Sequence, residues 1–171
     1  MTLSSRYSAA VLTISDSTSA GLREDRSGPT LIQLLESAGF TVVHKEVLPD
    51  NQHLIRKALD RYCSSEDIHC VVTTGGTGVG PNDCTPEATV DVLERTLPGM
   101  AEAMRMESLK YTPSAMLSRQ MAGVAKSTLI INFPGREEAV RQCFEVVRPV
   151  LLHTVDLICG DSKHTEAVTA N

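Results

Sequence analysis

The sequence predicts an α/β fold: a three-layer α/β/α sandwich with a mostly parallel sheet and one small antiparallel hairpin. Three observations carry that expectation. Short, nearly continuous apolar runs alternate with longer segments of helical period, as expected for strands buried on both faces and joined by crossover helices. The segments that close the apolar runs are rich in Gly, Ser, Asp and Pro, the residues of turns. Trp is absent and aromatics make up only 4% of the chain, so the core must be assembled from Val, Ile, Leu, Ala and Met.

Residues 9–14 (AAVLTI) read as the first strand, followed by the polar stretch SDSTSAGLREDRSGP. Leu31, Leu34, Leu35 and Ala38 then recur at helical spacing, with Gly39 where a helix would end. Residues 40–48 (FTVVHKEVL) form a second strand, broken by Pro49-Asp50. Leu54, Ala58, Leu59 and Tyr62 mark the next helix, for which Asp50 is a candidate N-cap. The third strand, 69–74, runs directly into GGTGVGPND. Thr85-Pro86-Glu87 reads as an N-cap followed by proline in a first helical turn. After Leu97-Pro98-Gly99, another helix carries Met100, Ala103 and Met104. A hairpin is expected over 119–133, with arms at 122–124 and 129–131. Val140, Phe144 and Val147 begin a last helix, which Arg148-Pro149 is expected to kink before Leu152, Val155 and Ile158. The polar tail 160–171 is expected to fray. With no repeat and no long linker, 1–171 is expected to be one domain.

Composition narrows the function classes. A net charge of −5 and a pI near 5.5 argue against a nucleic-acid-binding surface. No run approaches the roughly 20 apolar residues of a membrane helix. The five cysteines form no CxxC pair, and the start MTLSSRYSAAVLTIS lacks the basic region of an export signal. A cytoplasmic protein with free thiols is expected. The histidines show no metal-ligand spacing.

In open parallel sheets, ligands bind beyond the carboxyl ends of the strands. Three loops reach that edge and carry Asp16, Asp50 and Asp83. Gly75, Gly76 and Gly78 allow close backbone approach, and successive N–H groups can make an anion-binding concavity. The stretch is neither a Walker loop, which needs Gly-Lys-Ser/Thr, nor a dinucleotide fingerprint, because Pro81 interrupts the required helix. A plain strand-to-helix turn is the alternative. Asp50 and Asp83 fit Mg²⁺ at a phosphate, which takes one or two carboxylates plus substrate oxygens. Asp16 and Asp25 could equally make Asx-turns. Arg119 offers either a bidentate fork for phosphate or a surface ion pair. Asn132-Phe133-Pro134-Gly135 ends a strand at the same edge. Cys84 has no partner base in the sequence and reads as a small half-buried thiol.

Together these blocks resemble the MogA/MoaB family of molybdenum cofactor biosynthesis, which includes the gephyrin G domain. The first loop, Ser15-Asp16, Gly21 and Asp25-Arg26-Ser27-Gly28-Pro29, is similar to the family's own. Thr74-Gly75-Gly76-Thr77-Gly78, with Asp83-Cys84-Thr85-Pro86-Glu87 after four residues, matches the TGGTG-x4-D-x-TPE signature. Leu97-Pro98-Gly99, Ser118-Arg119 and Asn132-Phe133-Pro134-Gly135 follow in family order, with Phe133 where many members carry Leu. The resemblance spans about residues 9–158.

It implies a molybdopterin adenylyltransferase that uses Mg-ATP to place AMP on the molybdopterin phosphate and releases pyrophosphate. Asp50 and Asp83 match the acidic positions tied to catalysis, and with them Mg²⁺. Ser15, Asp16, Asp25, Ser27, Gly28, Thr74, Gly75, Gly76, Thr77, Gly78, Thr85, Glu87, Ser118, Arg119, Asn132, Pro134 and Gly135 match substrate- or nucleotide-binding positions. The family further implies a homotrimer, with hexamers in the MoaB branch, and a molybdate-inserting partner protein. The alternative is a MoaB-like non-catalytic molybdopterin-binding or carrier protein. Retention of Asp83 and Thr85-Pro86-Glu87 favours the active branch.

Overall fold

In the computed structural model, which describes residues 6–161, strand β1 (Tyr7–Ile14) shows why its apolar run is continuous. Tyr7, Ala9 and Val11 enter one core, while Ala10, Leu12 and Ile14 enter another on the opposite face. A strand with helices on both sides has no face left for polar residues.

The remaining elements follow in order: α1 (Asp16–Ser19), α2 (Ser27–Ser37), β2 (Phe40–Leu48), α3 (Gln52–Cys63), β3 (Cys70–Thr74), α4 (Thr85–Val90), β4 (Arg95–Thr96), α5 (Pro98–Ser108), a 3₁₀ turn (Pro113–Leu117), β5 (Ala122–Ala125), β6 (Thr128–Phe133) and α6 (Glu137–Ile158). They form one six-stranded sheet in the order β2-β1-β3-β6-β5-β4. β1 pairs parallel with β2 and β3, and β3 pairs parallel with β6. β5 runs antiparallel to both β6 and β4. Leu31 and Leu35 of α2, Met104 of α5 and Phe144, Val147 and Leu151 of α6 seal one face. Ile55, Ala58 and Leu59 of α3 and Ala88 of α4 seal the other. The α/β/α sandwich with its antiparallel hairpin is therefore the observed architecture.

From β1 the chain passes to β2 on one side, and α3 then carries it back to β3 on the other. This reversal opens a crevice between the carboxyl ends of β1 and β3. Glycine-free strands with β-branched side chains bring the loops there in register: Thr13 lies opposite Thr74, and Thr74 opposite Phe133.

Three local expectations are corrected. Asn51, not Asp50, caps α3: its side chain accepts from the Leu54 amide at 3.0 Å. Cys84, not Thr85, occupies the cap position of α4, because the Thr85 hydroxyl is turned onto the Gly75 carbonyl. α6 continues as one helix through Pro149; the proline lies on the exposed face, where water can take up the Glu145 carbonyl it leaves without a donor. The two-residue β4, the single turn α1 and the 3₁₀ turn are too short to show a period in the sequence. Of the polar tail, residues 162–171 lie outside the described residues. Among the described residues no helix is long and apolar enough to cross a membrane.

Candidate active site

The glycine loop after β3 is held from three directions, and each restraint explains a residue. Gly75 takes φ 97°, and a Cβ there would lie 2.2 Å from the Ile14 carbonyl oxygen of β1. Its amide donates to the Phe133 carbonyl (3.2 Å), and its Cα lies 3.4 Å from where a Gly135 Cβ would be. The Thr74 hydroxyl donates to the Pro134 carbonyl (2.7 Å). From the other side, Thr85 donates its hydroxyl to the Gly75 carbonyl (2.9 Å) and its amide to the Gly76 carbonyl (3.0 Å). Gly75→Ala combines a positive φ with a backbone clash; it should destabilise the fold by about 2–4 kcal/mol, read as a lower denaturation midpoint. An unchanged midpoint would contradict the close approach of this loop to β1.

Arg119 completes the restraint. Its backbone amide donates to the Thr77 carbonyl (2.8 Å). Its Nε donates to the Gly78 carbonyl (2.7 Å), Nη2 to the Asp83 carbonyl (2.8 Å) and Nη1 to Glu87. The guanidinium fork is thus spent on the two ends of the loop. The other oxygen of Glu87, Oε2, is the one buried side-chain N or O without a hydrogen-bond partner among the described residues. Asn132 is fully buried beneath the loop. Its Nδ2 donates to the hydroxyls of Thr73 and Thr89 (3.0 Å each), and its Oδ1 accepts from the Met121 amide (3.1 Å).

The acidic residues converge as the topology requires. Asp16 and Asp50 clasp one another's backbone: the Asp16 amide donates to Asp50 Oδ2 (3.0 Å), and the Asp50 amide to Asp16 Oδ1 (2.9 Å). Asp50 Oδ1 lies 3.0 Å from where a Gly76 Cβ would be. Asp83 Oδ2 accepts from the Gly80 amide (2.8 Å) and would lie 2.9 Å from a Cβ at Gly78 or Gly80. Any side chain at these glycines would intrude on a carboxylate. Burial pushes the Asp50 carboxyl up from its ordinary range; the Asp16 amide opposes this, and the charges of Asp16 and Asp83 add to it. Burial, then the Asp50, Glu87, Asp83 and Asp16 carboxylates, likewise push up the Cys84 thiol. That keeps it protonated and unsuited to nucleophilic attack.

On the first loop, Asp25 accepts from the Thr13 hydroxyl (2.8 Å) and the Gly28 amide (2.9 Å). It thereby ties the start of α2 to β1, and Gly28 has no room for a Cβ beside these two side chains.

These loops enclose a cleft of about 730 Å³. Of the residues singled out in the sequence, Ser15, Asp25, Ser27, Asp50, Thr74, Gly75, Gly76, Thr77, Gly78, Asp83 and Gly135 line it. A second, smaller cleft of about 290 Å³ adjoins it and contains Ser118 and Pro134. Both clefts share Thr77, Gly78, Gly135 and Arg136. Asp16, Gly28, Thr85, Glu87, Arg119 and Asn132 line neither; they hold the residues that do. Sequence reading missed Thr13, Arg23 and Arg136 in the larger cleft and Arg105 and Gln120 in the smaller, and placed Arg26 in the first-loop block without a binding role. Only Arg136 carried a usable signal, its place directly after the Asn132–Gly135 block.

Asp50 Oδ1 and Asp83 Oδ1 accept no hydrogen bond from the described residues, so each carboxylate keeps an oxygen for a hard cation. No group of three His, Cys, Asp or Glu side chains able to hold a metal occurs among the described residues. A cation here would therefore draw its remaining ligands from water and a bound phosphate.

Comparison with known proteins follows the same outline. Residues 10–153 match the model of a probable molybdopterin binding domain, MoCF_biosynth. A molybdopterin adenylyltransferase of Helicobacter pylori J99 is 45% identical over 153 residues, covering 88% of this chain and 87% of that one. The protein of the same name from Escherichia coli K12 is 39% identical over 140 residues, or 81% and 72% of the two chains. Among solved structures, the molybdopterin biosynthesis enzyme MoaB of Thermus thermophilus superposes with a TM-score of 0.85 at 40% identity, covering 90% of this chain and 97% of that one.

Proposed function

Since this chain belongs to the molybdopterin-binding domain family of molybdenum cofactor biosynthesis, we propose that it is a molybdopterin adenylyltransferase, transferring AMP from ATP to the molybdopterin phosphate. The observation that carries this reading is the meeting of Asp50, Asp83 and the Gly75–Gly78 backbone at one cleft whose wall continues into a second. Two clefts with a common wall suit two substrates that must react end to end.

An oxygen of the molybdopterin phosphate attacks the α-phosphorus of ATP. A new P–O bond forms as the bond to the β,γ-diphosphate breaks, and pyrophosphate leaves with the electron pair. A phosphate monoester has its second ionisation at about pH 6, so the nucleophile is already charged and needs no strong base. The protein's task is alignment and charge management. The Gly76, Thr77 and Gly78 amides, which donate to no described residue, and the Thr77 hydroxyl cradle phosphate oxygens, while Asp50 and Asp83 would hold Mg²⁺ through their free oxygens. Bound there, the cation would offset repulsion between the two anions and stabilise the departing pyrophosphate. Asp16, Thr85, Glu87, Arg119 and Asn132 keep the cradle and both carboxylates in place.

The protein acts as a single cytoplasmic domain, and its product is the substrate of a molybdate-inserting partner. It assembles as a homotrimer; the exposed Val150, Leu152 and Leu157 of α6 are apolar surface that such an assembly would cover. Purified protein given molybdopterin, ATP and Mg²⁺ should release pyrophosphate and form adenylylated molybdopterin, and chelation should stop it. Tight molybdopterin binding without pyrophosphate release would instead establish the non-catalytic carrier reading.

A further inference from the structure

We propose that Arg136 is the side chain that grips the anionic junction between the two substrates, an assignment that rests on the adenylyl-transfer reading of the two clefts. Arg136 lies on the wall common to both. The other arginines near the glycine loop are engaged elsewhere or, like Arg23, which is unpaired among the described residues, line the larger cleft only. Arg119 is bonded to Gly78, Asp83 and Glu87, and Arg105 donates to the Gln120 carbonyl at 3.0 Å. Arg26 lies 3.7 Å from Glu24 and reaches the larger cleft only. Arg136 is exposed and its side chain has no hydrogen bond or ion pair among the described residues. Its neighbour Glu137, the obvious partner, is taken by Arg141 (2.9 Å) and Thr30 (3.2 Å).

Its position is also unfavourable for folding alone. Arg136 is the N-cap residue of the 22-residue α6 and offers it no side-chain cap bond. A cation at that end opposes the helix dipole. An anion arriving at the shared wall would meet both the guanidinium and the helix end, turning the local cost into binding. Across the cleft the carboxylates Asp25, Asp50 and Asp83 repel such an anion, which makes an unengaged cation on this wall the more needed. A planar fork can hold oxygens of two phosphates at once, which an ammonium cannot do.

The test compares Arg136→Gln, Arg136→Lys and Arg148→Gln. Arg148→Gln removes the same charge from the same helix about 18 Å away, where Arg148 is paired with Glu145. Two readouts are taken: AMP transfer, and equilibrium binding of inorganic pyrophosphate to the free protein. Arg136→Gln should weaken pyrophosphate binding and kcat/KM each by roughly 10- to 100-fold. Arg136→Lys should recover part of the binding and less of kcat. Arg148→Gln should stay within about twofold of the wild type, as expected of an exposed pair. Arg136→Gln should melt no lower than the wild type. Pyrophosphate binding within twofold of the wild type in Arg136→Gln would overturn the assignment, as would a fall matched by Arg148→Gln. Wild-type protein that binds pyrophosphate through Arg136 yet transfers no AMP would leave Arg136 in place and overturn adenylyl transfer.

Discussion

Asp50→Asn should lower AMP transfer by about 10²–10³-fold, the usual cost of losing a group that manages transition-state charge, while raising the melting temperature. The two effects have one origin. The carboxylate is half-buried, and burial together with the nearby charges of Asp16 and Asp83 disfavours its ionised form. Its native-state pKa therefore lies above its unfolded one. Between those two values the native state holds the proton more tightly than the unfolded chain, so stability falls as pH rises through that window. Above it, at neutral pH, the full cost of the charge is present. Asn keeps an oxygen for the Asp16 amide, now 3.0 Å from Asp50 Oδ2, and removes the charge. Activity has the opposite dependence, since only ionised Asp50 can hold a cation. At limiting Mg²⁺, where the metal-free protein sets the titration, the acid limb of kcat/KM should therefore lie above the usual carboxylate range, and Asp16→Asn, which removes a neighbouring charge, should move it to lower pH. Asp50→Asn protein that melts lower and keeps its transfer rate would show that the carboxylate serves the fold and not the chemistry.

A group whose charge costs stability yet is kept is the pattern expected of a functional site, and it marks what the sequence could convey. The apolar run of 9–14 was readable because both faces of β1 are buried, so every position is constrained. The same holds for the convergence of the three aspartate loops, which follows from strand order alone. The roles inside the site were less legible. Asp50 and Asn51 are both good caps, and only the packed structure assigns that task to Asn51, leaving Asp50 to the cleft. Thr85 has the composition of a cap but bonds the Gly75 carbonyl instead. Arg136 follows a turn and opens a helix, a place where most arginines are merely solvated. Its meaning depends on which other cations are already engaged, and that is a property of the packed loops, not of any local pattern.

The sequence left Arg119 between a phosphate fork and an ion-pair partner, and Arg119→Met decides between them. Met keeps the length and packing of the side chain while removing all of its donors. The Gly78 and Asp83 carbonyls and Glu87 would each lose a partner. At about 1 kcal/mol per bond, the expected loss of stability is about 2–3 kcal/mol. The Glu87 contact is discounted within that range, because the two side chains are 36% and 44% exposed and solvent screens exposed pairs. Transfer should fall about 100-fold, chiefly in kcat, because the carbonyl of Asp83 is freed and its carboxylate loses its fixed aim. Glu87→Gln combined with Arg119→Met should cost less than Arg119→Met alone, since both changes break the same contact and the double variant leaves no unpaired charge. Glu87 Oε2, already buried without a partner, makes the carboxylate costly once the arginine is gone, so neutralising it in the double variant should recover part of the melting temperature. Were Arg119 a phosphate fork, the pattern would invert: Arg119→Met would melt like the wild type and lose pyrophosphate affinity directly. A loop that must stay open to two anions while keeping two carboxylates aimed inward needs a cation behind it, and Arg119 supplies that from a position the substrates do not reach.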